Sequence, residues 1–156
     1  VMKTIYQWLS EYGESHQNAT NKAVHSICVP LIFFSIVGFF YSIKLPFFNV
    51  LGVEGNLAML MLTFTTFYYF VLSKSLSIGM FVFSLICLLL CLAIESSGIA
   101  PLWQFCSTIF IFAWIGQFWG HKVEGRKPSF FKDLQFLMIG PAWLLSFIYQ
   151  RFGITF

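Results

Sequence analysis

Long uncharged runs separated by short polar breaks dominate the chain, and this pattern predicts its main elements. Five such runs hold between 17 and 25 residues each, and a helix needs about 17–25 apolar residues to span the hydrocarbon of a bilayer. They occupy residues 26–43, 55–73, 75–94, 96–120 and 134–150. The pattern therefore predicts an all-α fold, a polytopic membrane helical bundle that forms one integral membrane domain over residues 1–156.

The first four runs predict four transmembrane helices, whereas the fifth contains a Gly-Pro pair at residues 140–141. Proline removes a backbone donor and kinks a helix, so the fifth helix either crosses the membrane with a kink or is re-entrant. A single short break at residues 73–75 predicts a tight antiparallel hairpin between the second and third helices. Beyond Lys44, residues 45–53 are expected to lie along the far interface.

An amphipathic pattern precedes the first run. Apolar residues recur there at helical spacing among polar ones, which predicts a short N-terminal interfacial helix on the membrane surface. Gly13 follows this pattern and is a candidate C-cap. The apolar positions are Ile5, Trp8, Leu9 and Tyr12.

Composition narrows the class of protein further. The chain is 58% hydrophobic, 21% aromatic and only 10% charged, whereas a soluble domain carries about 25% charged residues. Its mean hydropathy is +0.81. These values exclude a soluble globular protein, a disordered chain and a nucleic-acid binder, and they make membrane lipid the expected surroundings.

The positions of lysine and arginine predict the orientation. With four crossings, Lys44 falls on one side together with Glu54 and Glu95. The positive-inside rule makes the other side cytoplasmic, and Arg151 joins that side only if the fifth run is re-entrant. The cytoplasmic side carries Lys3, Lys22, Lys74, Lys122, Arg126, Lys127 and Lys132.

Two groups of polar residues gather on this cytoplasmic side. In a helix that begins near Asn18, Asn21 and His25 share its face, because offsets of seven and four residues return within about 40° of each other. His16 lies just before that helix and can fold over its end. At the end of the fourth run, Gly116 and Gly120 would let a neighbouring helix approach closely. One face of that run carries Trp114, Gln117, His121 and Glu124.

All three histidines of the chain therefore lie at one depth, and imidazole is the commonest metal ligand. Three imidazoles can hold one divalent ion, iron or zinc alike, with open coordination positions. The amides and Glu124 would then fix the imidazole tautomers. The candidate metal ligands are His16, His25 and His121.

Each of these residues also has a structural alternative. Asn18 can be an N-cap, Asn21 a hydrogen bond between helices, and any single histidine an interfacial or packed residue. Glu124 can pair with Arg126, Lys127 or Lys132 as solvated charge. Trp103, Trp114, Trp119 and Trp143 are expected in the interfacial belt.

Two separated motifs resemble the family of the fungal 2-hydroxy-fatty-acid dioxygenase, and the resemblance extends over essentially the whole chain. The first motif is His16-x-Asn18-x-x-Asn21-x-x-x-His25-Ser26-x-x-x-Pro30. The second is Trp114-Ile115-x-Gln117-Phe118-x-Gly120-His121, followed by Glu124-x-x-x-Pro128.

The resemblance implies an Fe(II)-dependent enzyme of fatty acid α-oxidation that takes a 2-hydroxy long-chain fatty acid and O₂ and releases the acid shortened by one carbon. It implies His16, His25 and His121 as iron ligands, with Asn18 supporting them. Carried over in the same way, Glu124, Asn21 and Gln117 are the catalytic polar residues. The enzyme would lie in a bacterial inner membrane, or in the endoplasmic reticulum of a eukaryote, with its site facing the cytoplasm.

The substrate carboxylate suggests a further group of residues. Lys22, Arg126 and Lys127 can attract it to the cytoplasmic mouth, although they are equally well explained as positive-inside markers.

Two non-enzymatic functions are alternatives. A haem electron carrier fits because two histidines at helix ends can ligate haem, and a transporter can use the polar cluster only to pack its helices. The middles of the four strong spans lack ionisable residues, which a pathway for a charged substrate normally contains. Transport of a lipid or a neutral solute stays open.

Overall fold

The computed structural model of the chain describes residues 3–14, 16–125 and 136–156. Most of these residues are helical, as predicted. The helices are α1 (Ile5–Glu14), α2 (Ala19–Tyr41), α3 (Leu57–Leu72), α4 (Lys74–Ser97), α5 (Leu102–Glu124) and α6 (Gly140–Arg151), with a short 3-10 helix at Phe136–Met138. Three basic residues of the sequence analysis, Arg126, Lys127 and Lys132, lie outside the described residues.

Helix α2 is the centre of the bundle. It packs along α5 on one side and contacts α3, α4 and α6 on the others, while α3 and α4 pair with each other. The core that these contacts bury includes Phe33, Val37 and Tyr41 of α2. A helix with neighbours on nearly every side is hydrophobic all round, which agrees with the apolar sequence of α2.

Polar side chains define the starts of two helices. Asn18 caps α2, because its side-chain oxygen accepts hydrogen bonds from the backbone N–H groups of Thr20 and Asn21. Ser73 alone separates α3 from α4, and its side-chain oxygen accepts from the N–H of Leu76. The tight hairpin predicted at residues 73–75 is therefore confirmed, and so is the N-cap alternative for Asn18.

A β-hairpin follows α2, where the sequence pattern predicts only a segment along the interface. β1 (Lys44–Val50) pairs in antiparallel fashion with β2 (Val53–Asn56). Leu51 and Gly52 form the turn, with φ of 50° and 83°. A two-residue loop with positive φ at both positions matches a type I′ hairpin turn. The helical bundle thus carries one small β-element that its sequence pattern did not indicate.

Helix α1 packs against α6 through its apolar face. Ile5 and Tyr12 are buried, and the Tyr12 ring lies 5.0 Å from that of Trp143 in α6. The helix ends at Glu14, one residue beyond the expected C-cap Gly13, which is within the usual uncertainty of a helix boundary. The predicted amphipathic helix is therefore present, and its apolar residues contact protein.

Helix α6 lies across the end of the bundle at which α2 and α4 begin. Its first residue, Gly140, packs against Val29 of α2. Near its last turn, the Tyr149 hydroxyl donates to the Ser75 carbonyl oxygen at 2.6 Å and accepts from the Gly79 N–H at 3.0 Å. With 12 residues, α6 is about 18 Å long, shorter than the roughly 30 Å of hydrocarbon. These contacts favour the re-entrant alternative for the fifth run.

Large apolar side chains cover much of the outer surface. Phe64 of α3, Ile78 of α4 and Phe112 of α5 are 73%, 67% and 70% exposed. Contiguous apolar surface of this kind is rare on soluble monomers. In the part of the chain that the structure describes, two helices, α2 with 23 residues and α4 with 24, are long and apolar enough to cross a membrane.

The absence of side chains at two glycines lets α2 and α5 approach closely, as the sequence predicted. A Cβ at Gly116 would lie 2.7 Å from the Cys28 sulfur, and one at Gly120 would lie 2.5 Å from the Asn21 side-chain oxygen. Real Cβ atoms do not come so close to other atoms. This close contact brings the polar ends of the two helices together.

Gly116→Ala tests the close contact between α2 and α5. We expect it to lower the free energy of unfolding in detergent by about 1–3 kcal/mol, because overpacking a filled contact strains it. Cys28→Ala removes the opposing sulfur, so the same glycine change should cost much less in that background. Denaturant unfolding of the four proteins of this double-mutant cycle measures the coupling. An equal cost in both backgrounds would contradict the assignment.

Candidate metal centre

Three helix ends bring the histidines together. His16 lies in residues 16–18, which precede α2 and which we call the link. His25 lies in the second turn of α2, and His121 in the last turn of α5. Their exposed fractions are 2%, 1% and 4%. One ring nitrogen of each can be chosen so that all three lie within 4.8 Å of one another. Within the described ranges, no other group of three or more histidine, cysteine or carboxylate side chains comes together in this way.

The tautomer of His16 follows from its contact with the preceding helix. His16 Nδ1 lies 2.6 Å from the Tyr12 carbonyl oxygen, and a carbonyl oxygen only accepts hydrogen bonds. Nδ1 therefore carries the proton and donates it, so that in the neutral ring the lone pair is on Nε2. The Tyr12 ring stacks on the imidazole at 4.3 Å, with 6° between the planes. Tyr12 thus fixes both the tautomer and the orientation of His16.

His16 and His25 approach each other closely. His16 Nε2 lies 3.0 Å from His25 Nδ1. Two nitrogen ligands that lie about 2.1 Å from one ion are roughly 3.0–3.4 Å apart, for angles of about 90–110° at the ion. The observed separation therefore suits either a hydrogen bond between the rings or a shared ion.

Two buried polar atoms in this region lack a partner. In the part of the chain that the structure describes, neither His25 Nε2 nor Gln117 Oε1 has a hydrogen-bond partner. Gln117 lies one helical turn before His121 on the same face of α5. Leaving a buried polar atom unsatisfied costs about 1–3 kcal/mol, so such atoms are typical of a site that receives a ligand.

Glu124 holds the link that carries His16 against the end of α5. Its carboxylate accepts hydrogen bonds from the backbone N–H groups of Gln17 at 3.1 Å and Asn18 at 2.8 Å, and from the Asn21 amide at 3.1 Å. Desolvation opposes ionisation, but these three hydrogen bonds outweigh it and hold the pKa of Glu124 below its usual value. Glu124 therefore stays ionised at neutral pH and positions the link.

The remaining predicted residues have clear places. Asn21 is fully buried and its amide bonds across to Glu124, which confirms the alternative of a hydrogen bond between helices. Lys22 is exposed on the first turns of α2, at the same end of the bundle. Arg126 and Lys127 lie outside the described residues, so their predicted contact with a substrate carboxylate stays a prediction.

Two tryptophans differ from their predicted place in the interfacial belt. Trp143 is buried, and its ring lies 5.3 Å from that of His16. Trp114 is also buried and packs in the contact between α2 and α5, whereas Trp103 and Trp119 are exposed as expected. Packing between helices removes more of the indole surface from water than a position at the membrane interface does, and this favours burial of these two side chains.

Sequence reasoning missed the contribution of Tyr12 and Trp143 to this centre. For Tyr12 a signal existed, since it precedes His16 by four residues and would stack on it in a continued helical turn. For Trp143 no such signal existed, because more than a hundred residues separate it from His16.

Comparison with known proteins identifies one family. The family model described as 2-hydroxy-palmitic acid dioxygenase Mpo1-like matches residues 2–152. No curated protein matches the chain. No solved structure matches it either.

Glu124→Ala tests how the link is held. It removes the acceptor of three hydrogen bonds, and hydrogen bonds to a charged group contribute about 1.5–3 kcal/mol each when buried. Because Glu124 is partly exposed, we expect a loss of about 1–3 kcal/mol in total, with Glu124→Gln intermediate. Denaturant unfolding in detergent measures this loss.

The matched control is Glu95→Ala, which breaks the exposed ion pair with Lys44 at 2.8 Å. Exposed ion pairs contribute about 0–1 kcal/mol. If both alanine variants lose the same small amount, Glu124 does not anchor the link.

Proposed function

The chain belongs to the 2-hydroxy-palmitic acid dioxygenase Mpo1-like family, and from this we propose that it is a membrane-embedded, Fe(II)-dependent dioxygenase. It oxidatively decarboxylates a 2-hydroxy long-chain fatty acid to the acid one carbon shorter. The observation that carries the proposal is the buried cluster of His16, His25 and His121. The family name itself specifies 2-hydroxy-palmitic acid.

The donor set suits a divalent metal. The lone pair of His16 Nε2 faces His25, and His25 Nε2 is a buried nitrogen with no partner among the described residues. Three neutral imidazoles bind iron and zinc alike, so the choice of iron rests on the dioxygenase chemistry of the family. An iron(II) ion held by His16, His25 and His121 supplies redox chemistry with O₂ that protein side chains lack.

The overall reaction balances with one O₂ and no further reductant. A 2-hydroxy acid and O₂ give the shortened acid, CO₂ and water. The carbon–carbon bond between the carboxyl and hydroxyl carbons breaks, these carbons lose four electrons, and O₂ accepts all four. The site therefore needs a place for the acid and for O₂, and no place for a second electron donor.

The side chains around the histidines have separate tasks in this proposal. Tyr12 fixes the tautomer and the orientation of His16, and the rings of Tyr12 and Trp143 exclude water from one side of it. Glu124 and Asn21 position the link. Gln117, whose amide oxygen has no hydrogen-bond partner among the described residues, accepts a hydrogen bond from the substrate 2-hydroxyl. A substrate held in this way meets the reacting centre in one orientation.

Basic residues at the mouth recruit the anionic substrate. Lys22, exposed at the same end of the bundle as the cluster, attracts the carboxylate, and we assign the same task to Arg126 and Lys127. In a cleft of low dielectric such charges raise the local concentration of an anion.

The proposed setting is a multi-pass membrane protein in which α2, α3, α4 and α5 cross and α1 and α6 cover the cytoplasmic end. Exposed apolar side chains on α3, α4 and α5 support this. Among the described residues, the histidine end carries Lys3, Lys22, Lys74 and Lys122, whereas the β-hairpin end carries Lys44 alone, and by the positive-inside rule this supports a site on the cytoplasmic side. The membrane is the bacterial inner membrane, or the endoplasmic reticulum in a eukaryote.

His121→Ala provides the direct test. We expect the variant to lose bound iron and to lose at least about a hundredfold of turnover, since changes around a metal already cost 10–100-fold. The assay incubates purified, Fe(II)-loaded protein with 2-hydroxypalmitate under air and measures pentadecanoate by mass spectrometry.

Trp119→Phe is the matched control, because Trp119 is exposed on the same helix two residues earlier. It should keep both iron and turnover. Full iron and activity in His121→Ala would refute the metal centre, and a Soret band in the purified protein would favour the haem carrier instead. A protein that folds without bound metal or turnover would favour the transporter.

A further inference from the structure

Apolar grooves lie on the flanks of the bundle; besides a small one along α5, lined by Trp114 and Phe118 among others, there are two that lie between helices. The larger, with a volume of about 500 Å³, lies between α3 and α4 and includes Phe67, Phe81 and Leu85. The smaller, with a volume of about 390 Å³, lies where α2, α4 and α6 meet. No lysine, arginine or carboxylate lines either groove among the described residues. The smaller groove, which we call the α6 groove, is lined by Ser26, Pro30, Phe83, Leu144, Leu145 and Ile148, among others.

The lining of the α6 groove includes neighbours in the chain of the histidine cluster and its surroundings, whereas the lining of the larger groove does not. Ser26, one of the lining residues, directly follows His25. On the opposite wall, Leu144 follows Trp143, whose ring lies 5.3 Å from that of His16. None of the residues that line the larger groove adjoins a histidine in the chain or contacts one through its ring. Size therefore favours the larger groove as a ligand site, whereas position in the chain relative to the histidine cluster favours the α6 groove.

We propose that the α6 groove holds the acyl chain of the 2-hydroxy fatty acid while its carboxyl end lies at the histidine cluster. This rests on the proposed function. An acid with a polar head and an apolar tail needs an apolar surface close to a polar site, and the α6 groove offers one whose lining residues Ser26 and Leu144 directly follow His25 and Trp143 in the chain.

The groove determines the position of the bound acyl chain more than its binding affinity. Lipid tails are as apolar as leucine, so a chain gains little transfer energy when it leaves the bilayer for the groove. Its walls instead restrict where the chain can lie, which orients the 2-hydroxyl carbon. Ile148 and Leu144, from the third and second turns of α6, form this restriction together with Phe83 of α4.

The length of the groove predicts which part of the acyl chain lies in it. From Pro141 to Ile148, α6 rises about 10 Å. An extended chain of sixteen carbons is roughly 20 Å long, because each bond of about 1.5 Å advances the zigzag by only about 1.3 Å. The half of the chain nearer the carboxyl therefore lies in the groove, and the remainder extends into the bilayer.

Ile148→Trp tests the α6 groove, because it fills the groove at a side chain that is 51% exposed and tolerates a larger ring. We expect the ratio of kcat/KM for 2-hydroxypalmitate to that for 2-hydroxybutyrate to fall by about tenfold or more, since a misplaced chain loses orientation. Bound iron should stay at the level of the unmodified protein. The matched control is Leu85→Trp in the larger groove, where the side chain is 43% exposed, and it should leave the ratio unchanged.

A binding experiment gives a second readout that does not depend on turnover. The probe is 2-hydroxypalmitate with a diazirine at carbon 8, photolysed in zinc-loaded protein so that it is not consumed. We expect labelled peptides from α6, competed by unlabelled 2-hydroxypalmitate and reduced in Ile148→Trp. The proposal is overturned if the label lies on α3 and the α3 side of α4, or if Ile148→Trp leaves the kcat/KM ratio of the two substrates unchanged.

The two proposals fail in different ways. If the unmodified protein turns over 2-hydroxypalmitate but the label lies in the larger groove, the α6 groove is wrong and the dioxygenase stands. If α6 is labelled with competition but no 2-hydroxy acid is turned over, the groove stands as an acyl site and the dioxygenase is wrong.

Discussion

The close contact between α2 and α5 is the constraint on which the histidine cluster depends. Helices that pack at ordinary distance lie 8–10 Å apart, and side chains at Gly116 and Gly120 would enforce such a distance here. Without them, the Asn21 and Cys28 side chains fill the space above the glycines. The polar ends of the two helices then meet, and His25 and His121 can share one site across their contact.

The third histidine depends on a different interaction, because it lies outside any helix. His16 donates a hydrogen bond from Nδ1 to the Tyr12 carbonyl oxygen. Glu124 holds the next two residues by accepting hydrogen bonds from their backbone N–H groups. Each contact satisfies a backbone group at a helix end, where such groups otherwise lack partners. The hydrogen bonds that satisfy the helix ends therefore also position His16, and they join the ends of α1, α2 and α5.

The cluster could be predicted from the sequence because the chain has so few polar residues to arrange. Helical periodicity placed Asn18, Asn21 and His25 on one face, and the hydrophobic runs placed both histidine-bearing ends on one side. With three histidines in the whole chain, a common depth left few other arrangements. The predicted close approach at Gly116 and Gly120 followed from the absence of their side chains, a property that sequence states directly.

Other features had no local signal. The hairpin turn at Leu51-Gly52 lacks the Asn-Gly or Asp-Gly pair that usually marks a type I′ turn, so tertiary context imposes it. The burial of Trp143 depends on α6 lying across the bundle, which follows from contacts with α2 and α4 and from no periodicity within the helix. Patterns along one element predict that element, whereas the packing of a short helix on its neighbours does not follow from them.

Electrostatics connects the site to the charge of its proposed substrate. Imidazoles are neutral ligands, so a dication held by His16, His25 and His121 keeps its full charge in buried surroundings, where an uncompensated charge is costly. The carboxylate of Glu124 is already engaged by three N–H donors, two on the link and one on the Asn21 side chain. A fatty acid brings its own carboxylate and so compensates the ion, which a neutral lipid or solute does not. The same neutral donor set that leaves iron and zinc equally acceptable therefore favours an anionic ligand, with its chain on the apolar side of the cluster.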